Sequence, residues 1–159
     1  MADWFVRNVA DNDWRVNEKF GARTMLVPHE SVVGVRVHVL EPGKPSTLYH
    51  RESGEEGFLV VEGECLLIVE GEERRLGPWD YFHCPPGTTH GFVGAGDGPC
   101  VIVTLGARGG TILYARDDVA LGHDAGVEEE TDTPSVAYAP FAKWAEGRPA
   151  SWDDLPWNP

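Results

Sequence analysis

What this chain lacks narrows its function. Basic residues are scarce: 13 Lys and Arg stand against 26 Asp and Glu, for a formal net charge of -13. A surface this acidic repels phosphate backbones and anionic lipids, so neither nucleic acid nor a membrane surface is predicted as a partner. No apolar run approaches the roughly 20 residues of a membrane-spanning helix. Met1-Ala2-Asp3-Trp4 lacks the basic start and apolar core of a signal peptide, which predicts a cytoplasmic protein. The three cysteines, Cys65, Cys84 and Cys100, are an odd number without metal-type spacing. They read as reduced, mostly buried small hydrophobes. Helical periodicity is nearly absent, and no repeat recurs at a solenoid period.

What is present is β-sequence. The 159 residues, 42% hydrophobic, suffice for one domain with a real core. Short strand-like runs broken by Gly, Pro, Asn and Asp are predicted near 4–9, 22–27, 32–40, 46–50, 57–62, 65–70, 73–76, 80–84, 90–94, 99–105 and 111–114. Phe58 to Glu72 is the clearest stretch, apolar on nearly every residue between two Val-Glu-Gly-Glu turns. A strand apolar on both faces is covered on both, as in a sandwich or small barrel. Gly63 and Gly71 stand where tight hairpins need φ > 0. Asp117 to His123 suggests one short helix, with Asp117 as N-cap and Gly122 as stop. Residues 124–133 are acidic, and 134–159 are rich in Pro and Trp without strand or helix pattern. That segment reads as an extended arm packed on the barrel or on a second subunit, with a partly disordered terminus as the alternative.

The chemistry concentrates in two segments, Tyr49 to Gly63 and Trp79 to His90. His50 and Glu52 are two residues apart, which on a strand puts both on one face. Glu56 follows a Ser-Gly turn, and His90 follows the rigid Pro85-Pro86-Gly87 turn. Antiparallel pairing could bring the four to a common point. Imidazole nitrogen with carboxylate oxygen suits Fe, Mn, Zn or Ni rather than Ca or Mg. His50, Glu52, Glu56 and His90 are therefore the candidate metal ligands. Glu55 reads as a rim residue and His83 as structural. Cys84 reads as packing, because no base has an identified place beside it. His29 and His38 carry no weight. Tyr49, Phe58, Tyr81 and Phe92 read as core first and pocket wall second.

At these positions the chain resembles the cupin superfamily. Gly43, His50, Glu56 and Gly63 follow that family's first motif, G-x5-H-x-H-x3,4-E-x6-G, with one extra residue after Gly43. Asp80, Pro85, Gly87 and His90 follow its second, G-x5-P-x-G-x2-H-x3-N. The resemblance covers roughly 35–115. Glu52 stands where the family has its second histidine, Trp79 where it has the opening glycine, and Gly94 where it has the closing asparagine. In a rival register Tyr49 and Arg51 take the two histidine places and His50 faces outward.

The resemblance implies an all-β fold: a cupin double-stranded β-helix, a jelly-roll-like barrel, over 1–122 with its motif core at 43–94. An irregular C-terminal arm follows over 123–159. It implies one divalent metal ion, a small-molecule ligand or substrate, and a homodimer formed through edge strands. With Glu52 as a fourth ligand the metal site would be neutral overall, which favours higher oxidation states. The expected function is a metal-dependent enzyme, dioxygenase-like or isomerase-like, on a small polar metabolite. An isomerase needs a separate base, and Glu52 is the first candidate if it does not ligate. That requirement tips the expectation toward oxygen chemistry. The alternatives are a non-enzymatic small-ligand binder or sensor, and a metal-free structural role.

Overall fold

The computed structural model describes residues 3–158. Its strands are β1 (Trp14–Asn17), β2 (Gly21–Met25), β3 (Val33–Leu40), β4 (Arg51–Glu52), β5 (Glu56–Glu62) and β6 (Glu64–Val69). They continue as β7 (Glu72–Leu76), β8 (Tyr81–Cys84), β9 (His90–Ala95), β10 (Cys100–Ala107) and β11 (Ile112–Leu113). Helices α1 (Asp118–Gly122) and α2 (Pro134–Ala137), a last strand β12 (Ala145–Glu146) and a 3-10 turn over Trp152–Asp154 follow. Pairing is antiparallel in a seven-stranded sheet, β12-β1-β2-β3-β10-β5-β8, a three-stranded sheet, β7-β6-β9, and the pair β11-β4. The all-β expectation holds, and no helix among the described residues is long and apolar enough to cross a membrane.

Alternation along each strand sorts the side chains. Leu40, Val60, Cys100 and Ile102 of the large sheet meet Cys65, Leu67 and Phe92 of the small one in a buried core. The opposite face of the large sheet presents Val37, Val39 and Val101, which Trp14 covers together with Trp152, Leu155 and Trp157 from the chain's end. Phe20, Leu48 and Tyr114 likewise pack with Ala137, Tyr138, Phe141 and Trp144. Covered on both faces, the central strands read as continuous apolar runs. Each fully buried Leu, Ile or Phe contributes about 1.5–3 kcal/mol.

Four local expectations change. The predicted strand at 4–9 is not one: Trp4 and Val6 are exposed, and Asn8 caps a short 3-10 turn over Val9–Asp11. The first strand is instead Trp14–Asn17, a short strand with only its ends buried, whose pattern is weak in the sequence. Residues 46–50 follow β9 through isolated bridges at Pro45 and His50 rather than a continuous strand, because Pro45 has no N–H to give a ladder. Gly63 has φ 72 but does not turn a hairpin. Strand β5 pairs with β10 and β8, whereas β6 pairs with β7 and β9, so Gly63 is the corner where the chain changes sheets. Gly71, with φ 76 beside Glu70 at φ 49, does turn the β6–β7 hairpin. The segment after 134 is not patternless, since α2 begins on Pro134 and β12 pairs with β1. Helix α1 forms where the sequence predicts it, with the Asp117 side chain accepting from Ala120 N at 2.9 Å.

Candidate metal centre

Two histidines meet because two backbones do. His50 N donates to His90 O (3.0 Å) and His90 N donates to His50 O (2.8 Å). Residues that exchange both bonds sit directly opposite one another, and here the ring centroids are 5.0 Å apart. Glu56 opens β5 on the same inward row as Phe58 and Val60. Glu52 lies in β4, held against β11 through its pairing with Ile112. Tyr49 packs away from this point with Ile68 and Val93, and Arg51 is exposed, so His50 rather than its neighbours faces the interior.

The outer nitrogens are already spoken for. His50 Nδ1 lies 2.6 Å from the Leu48 carbonyl oxygen, and His90 Nδ1 lies 3.0 Å from that of Thr88. A carbonyl only accepts, so each neutral ring carries its hydrogen on Nδ1 and keeps the Nε2 lone pair for the interior. One donor atom each from His50, Glu56 and His90 lies within 4.8 Å of the others. His90 Nε2 and Glu56 Oε2 are buried 3.4 Å apart and make no hydrogen bond. Two buried acceptors facing each other are satisfied by a metal ion between them, or by a proton on the Glu56 carboxyl. Two imidazoles and one carboxylate suit Fe, Mn, Zn or Ni. Glu52 stands just outside this trio, with Oε1 3.4 Å from His50 Nε2.

The local field separates the four groups. Burial and then the Glu52 charge push the Glu56 carboxyl up to about 7. Burial and then the His50 charge push His90 down to about 4. Burial also works to lower His50, but the Glu52 carboxylate, the Leu48 carbonyl and the Glu56 charge together raise it. A hydrogen bond from the protonated His50 ring holds Glu52 below the ordinary carboxylate range, against the opposing effect of its burial. Glu52 is therefore the ionised carboxylate of the site at neutral pH.

These groups open on a cavity of about 440 Å³. Phe58 and Phe92 form its floor beside His90, with ring centroids 4.7 Å apart. Ser135, Tyr138 and Trp144 of the C-terminal segment line it as well. A second cavity shares Glu52, Glu56, Arg36 and Thr104 with the first. Tyr81 and His83 are exposed, and His83 lies 3.7 Å from Glu55 on the outside. Cys84 is buried core, but it does have an imidazole beside it, with Sγ 3.3 Å from His90 Nδ1. Burial, followed by Glu56, pushes its thiol up to about 12, so it stays protonated.

Sequence reasoning missed Arg23, Arg36 and His38, which line the same cavity. The signal was present: Arg36 and His38 are two apart in a strand whose alternate positions are Val35, Val37 and Val39. That alternation marks a polar interior face.

Residues 36–106 match the family model described as the cupin domain. No curated protein matches the chain. Among solved structures, it is similar to a sugar phosphate isomerase of the cupin superfamily from Silicibacter pomeroyi. That likeness has 25% identity and a TM-score of 0.63, over 70% of this chain and 82% of that one. It is also similar to KdgF from a Halomonas species, with 26% identity and a TM-score of 0.56 over 69% and 96% of the two chains. The polyketide cyclase RemF from Streptomyces resistomycificus shares the fold, with 18% identity and a TM-score of 0.60 over 68% and 82%. With both motifs, the two-sheet barrel and these likenesses in agreement, residues 36–106 form a cupin domain.

Proposed function

We propose that this protein is a metal-dependent enzyme that moves a proton on a small polar metabolite, an isomerase-like activity. In this reading His50, Glu56 and His90 hold one divalent ion, and Glu52 remains free as the general base. The observation that carries it is the facing pair of buried, unpartnered acceptors, His90 Nε2 and Glu56 Oε2, with both histidines pinned through Nδ1. Bound there, a divalent ion supplies polarisation of a substrate carbonyl or enolate oxygen. Glu52, ionised and half-buried beside the trio, supplies the proton acceptor that the sequence left unassigned. The likeness to a sugar phosphate isomerase supports the same class. Phe58 and Phe92 exclude water from one side of the reacting centre.

The reading takes the segment 1–122 as the working domain and the segment 123–159 as an arm, supported by Ser135, Tyr138 and Trp144 on the cavity wall. The reading includes a cytoplasmic location, supported by three buried free cysteines. It also includes a homodimer, supported by the open edges of the large sheet at β12 and β8.

The test is hydrogen exchange. Metal-loaded protein is incubated in heavy water with a panel of small keto and hydroxy metabolites, and deuterium entering C–H positions is followed by NMR. Wash-in that disappears with chelator and with Glu52→Gln supports the reading. A second reading, oxygen chemistry with iron, is favoured by the two-histidine, one-carboxylate set itself. Oxygen uptake on the panel without wash-in would select it. Neither response would leave a small-ligand binder or sensor.

A further inference from the structure

We propose that Arg23 and Arg36 form an oxyanion-binding subsite on the cavity wall, which holds a carboxylate or phosphate of the substrate while another of its oxygens reaches the His50–Glu56–His90 centre. This deepens the enzyme reading and rests on it for the substrate's second contact.

Register puts the two arginines on the interior. Strand β2 runs antiparallel to β3 with Arg23 opposite His38 and Met25 opposite Arg36. Arg23 and Arg36 are therefore diagonal neighbours on one face. Arg36 in turn faces Thr104 of β10. All four of Arg23, His38, Arg36 and Thr104 line the cavity that contains His50, Glu56 and His90.

Neither arginine has an anionic partner among the described residues. The exposed Arg74, Arg75 and Arg116 each hold a carboxylate within 2.8 Å. Among the described residues, Arg23 and Arg36 make no such ion pair and no side-chain hydrogen bond, though both are half-buried. The chain carries 26 acidic residues, so unpaired cations inside it are not a shortage of anions. Half-buried guanidinium groups are costly when left alone, and their fork geometry suits a planar or tetrahedral oxyanion. Arg36 also balances the field at Glu52 and Glu56, whose acidity it strengthens. That role does not account for Arg23, which lies farther along the wall beside Trp144.

Arg23 is also prepared. Its guanidinium carbon lies 3.9 Å from the centre of the Trp144 ring, a cation–π contact that holds the group at the cavity wall. Burial first, and then the charges of Arg36 and Arg15, lower its basicity to about 10, the direction expected of a cation awaiting a counter-ion. The aromatic partner comes from the C-terminal segment, so that segment takes part in ligand recognition as well as in packing.

The test is protection from an arginine-specific dicarbonyl reagent, read by peptide mass spectrometry on the full-length wild-type protein. Inorganic phosphate and glucuronate are the probes, and glucose is the uncharged control. Protection of Arg23 and Arg36 by phosphate supports the subsite with a phosphoryl group as its ligand. Protection by glucuronate supports it with a carboxylate. Modification of both arginines at the same rate with and without either anion overturns it. Arg36→Gln and Arg23→Gln, checked for folding by circular dichroism, should weaken binding of the protecting anion roughly ten- to hundredfold. Unchanged binding in folded variants also overturns the proposal. Metal content is measured on the same samples. Protection without metal keeps the subsite and removes the enzyme reading, whereas metal without protection does the reverse.

Discussion

The two ends of this barrel use the same strands for opposite purposes. On β3 the inward row runs Arg36, His38, Leu40, and on β5 it runs Glu56, Phe58, Val60. On β10 it runs Thr104, Ile102, Cys100, and on β9 His90, Phe92. Each row starts polar at the mouth and ends apolar at the base. At the base the side chains satisfy one another by packing. At the mouth three polar atoms, His38 Nδ1, His90 Nε2 and Glu56 Oε2, converge buried without hydrogen bonds, whereas Glu62 Oε2 and Trp157 Nε1 share that state singly elsewhere among the described residues. The base accounts for why the chain folds, and the mouth for what the fold holds, since groups that cost stability are kept where a ligand repays them.

The largest effects come from crossing the two ends. Leu40→Ala or Ile102→Ala at the base should cost about 2–5 kcal/mol in denaturant unfolding, while the folded fraction keeps its metal affinity. His90→Ala at the mouth should do the opposite. Metal affinity, read by chelator competition, falls by more than the roughly 100-fold that loss of an outer-shell partner costs. The β-type circular dichroism spectrum stays. If Leu40→Ala emptied the metal site in folded protein, or His90→Ala left it full, the division would fail.

Next in size is Glu52→Gln. As a base outside the trio, Glu52 should leave metal content near wild type and lower turnover by about 10²–10⁴-fold. A matching loss of metal would make Glu52 a ligand instead.

A pH effect follows from the mouth in the metal-free protein. Burial, then Arg36 and Arg23, push the His38 imidazole from 6.5 down to about 3. The unfolded chain takes up that proton near 6.5, and the folded chain only near 3. The contribution of His38 is thus fully present above 6.5 and is lost as pH falls from 6.5 toward 3. His38→Gln should flatten the acid limb of a stability–pH curve recorded with chelator present. An unchanged limb would remove His38 from the account.

The smallest effect lies outside both ends. Trp79 has φ 72 and is exposed. It stands where the family motif has glycine, and the backbone kept the left-handed shape that glycine serves. Trp79→Gly should stabilise by about 1 kcal/mol. Destabilisation would mean that the indole makes a contact worth more than the strain.

Much of this was legible in the sequence, for reasons that differ between residues. Glu56 and His90 were findable because their motifs set the spacing to a turn and a strand start, which are local features. His50 needed a choice between two registers, and the cross-strand bridge to His90 holds it toward the interior. Gly94 departs from the motif because a Cβ there would lie 2.2 Å from the Glu41 carbonyl oxygen, where the chain entering the first motif runs against β9. Arg23 and Trp144 were not legible. They are 121 positions apart, and only the pairing of β1 with β12 and the packing of the arm bring them together. The misplaced first strand has a simpler cause: Trp4, Phe5 and Val6 have strand composition but no partner strand among the described residues.

The most direct test of the central claim is elemental analysis of the protein purified without added metal or a chelating tag. The account predicts about one equivalent of Fe, Mn, Zn or Ni per chain, absent from His90→Ala. No metal after purification, and none taken up on dialysis against these ions, would contradict it.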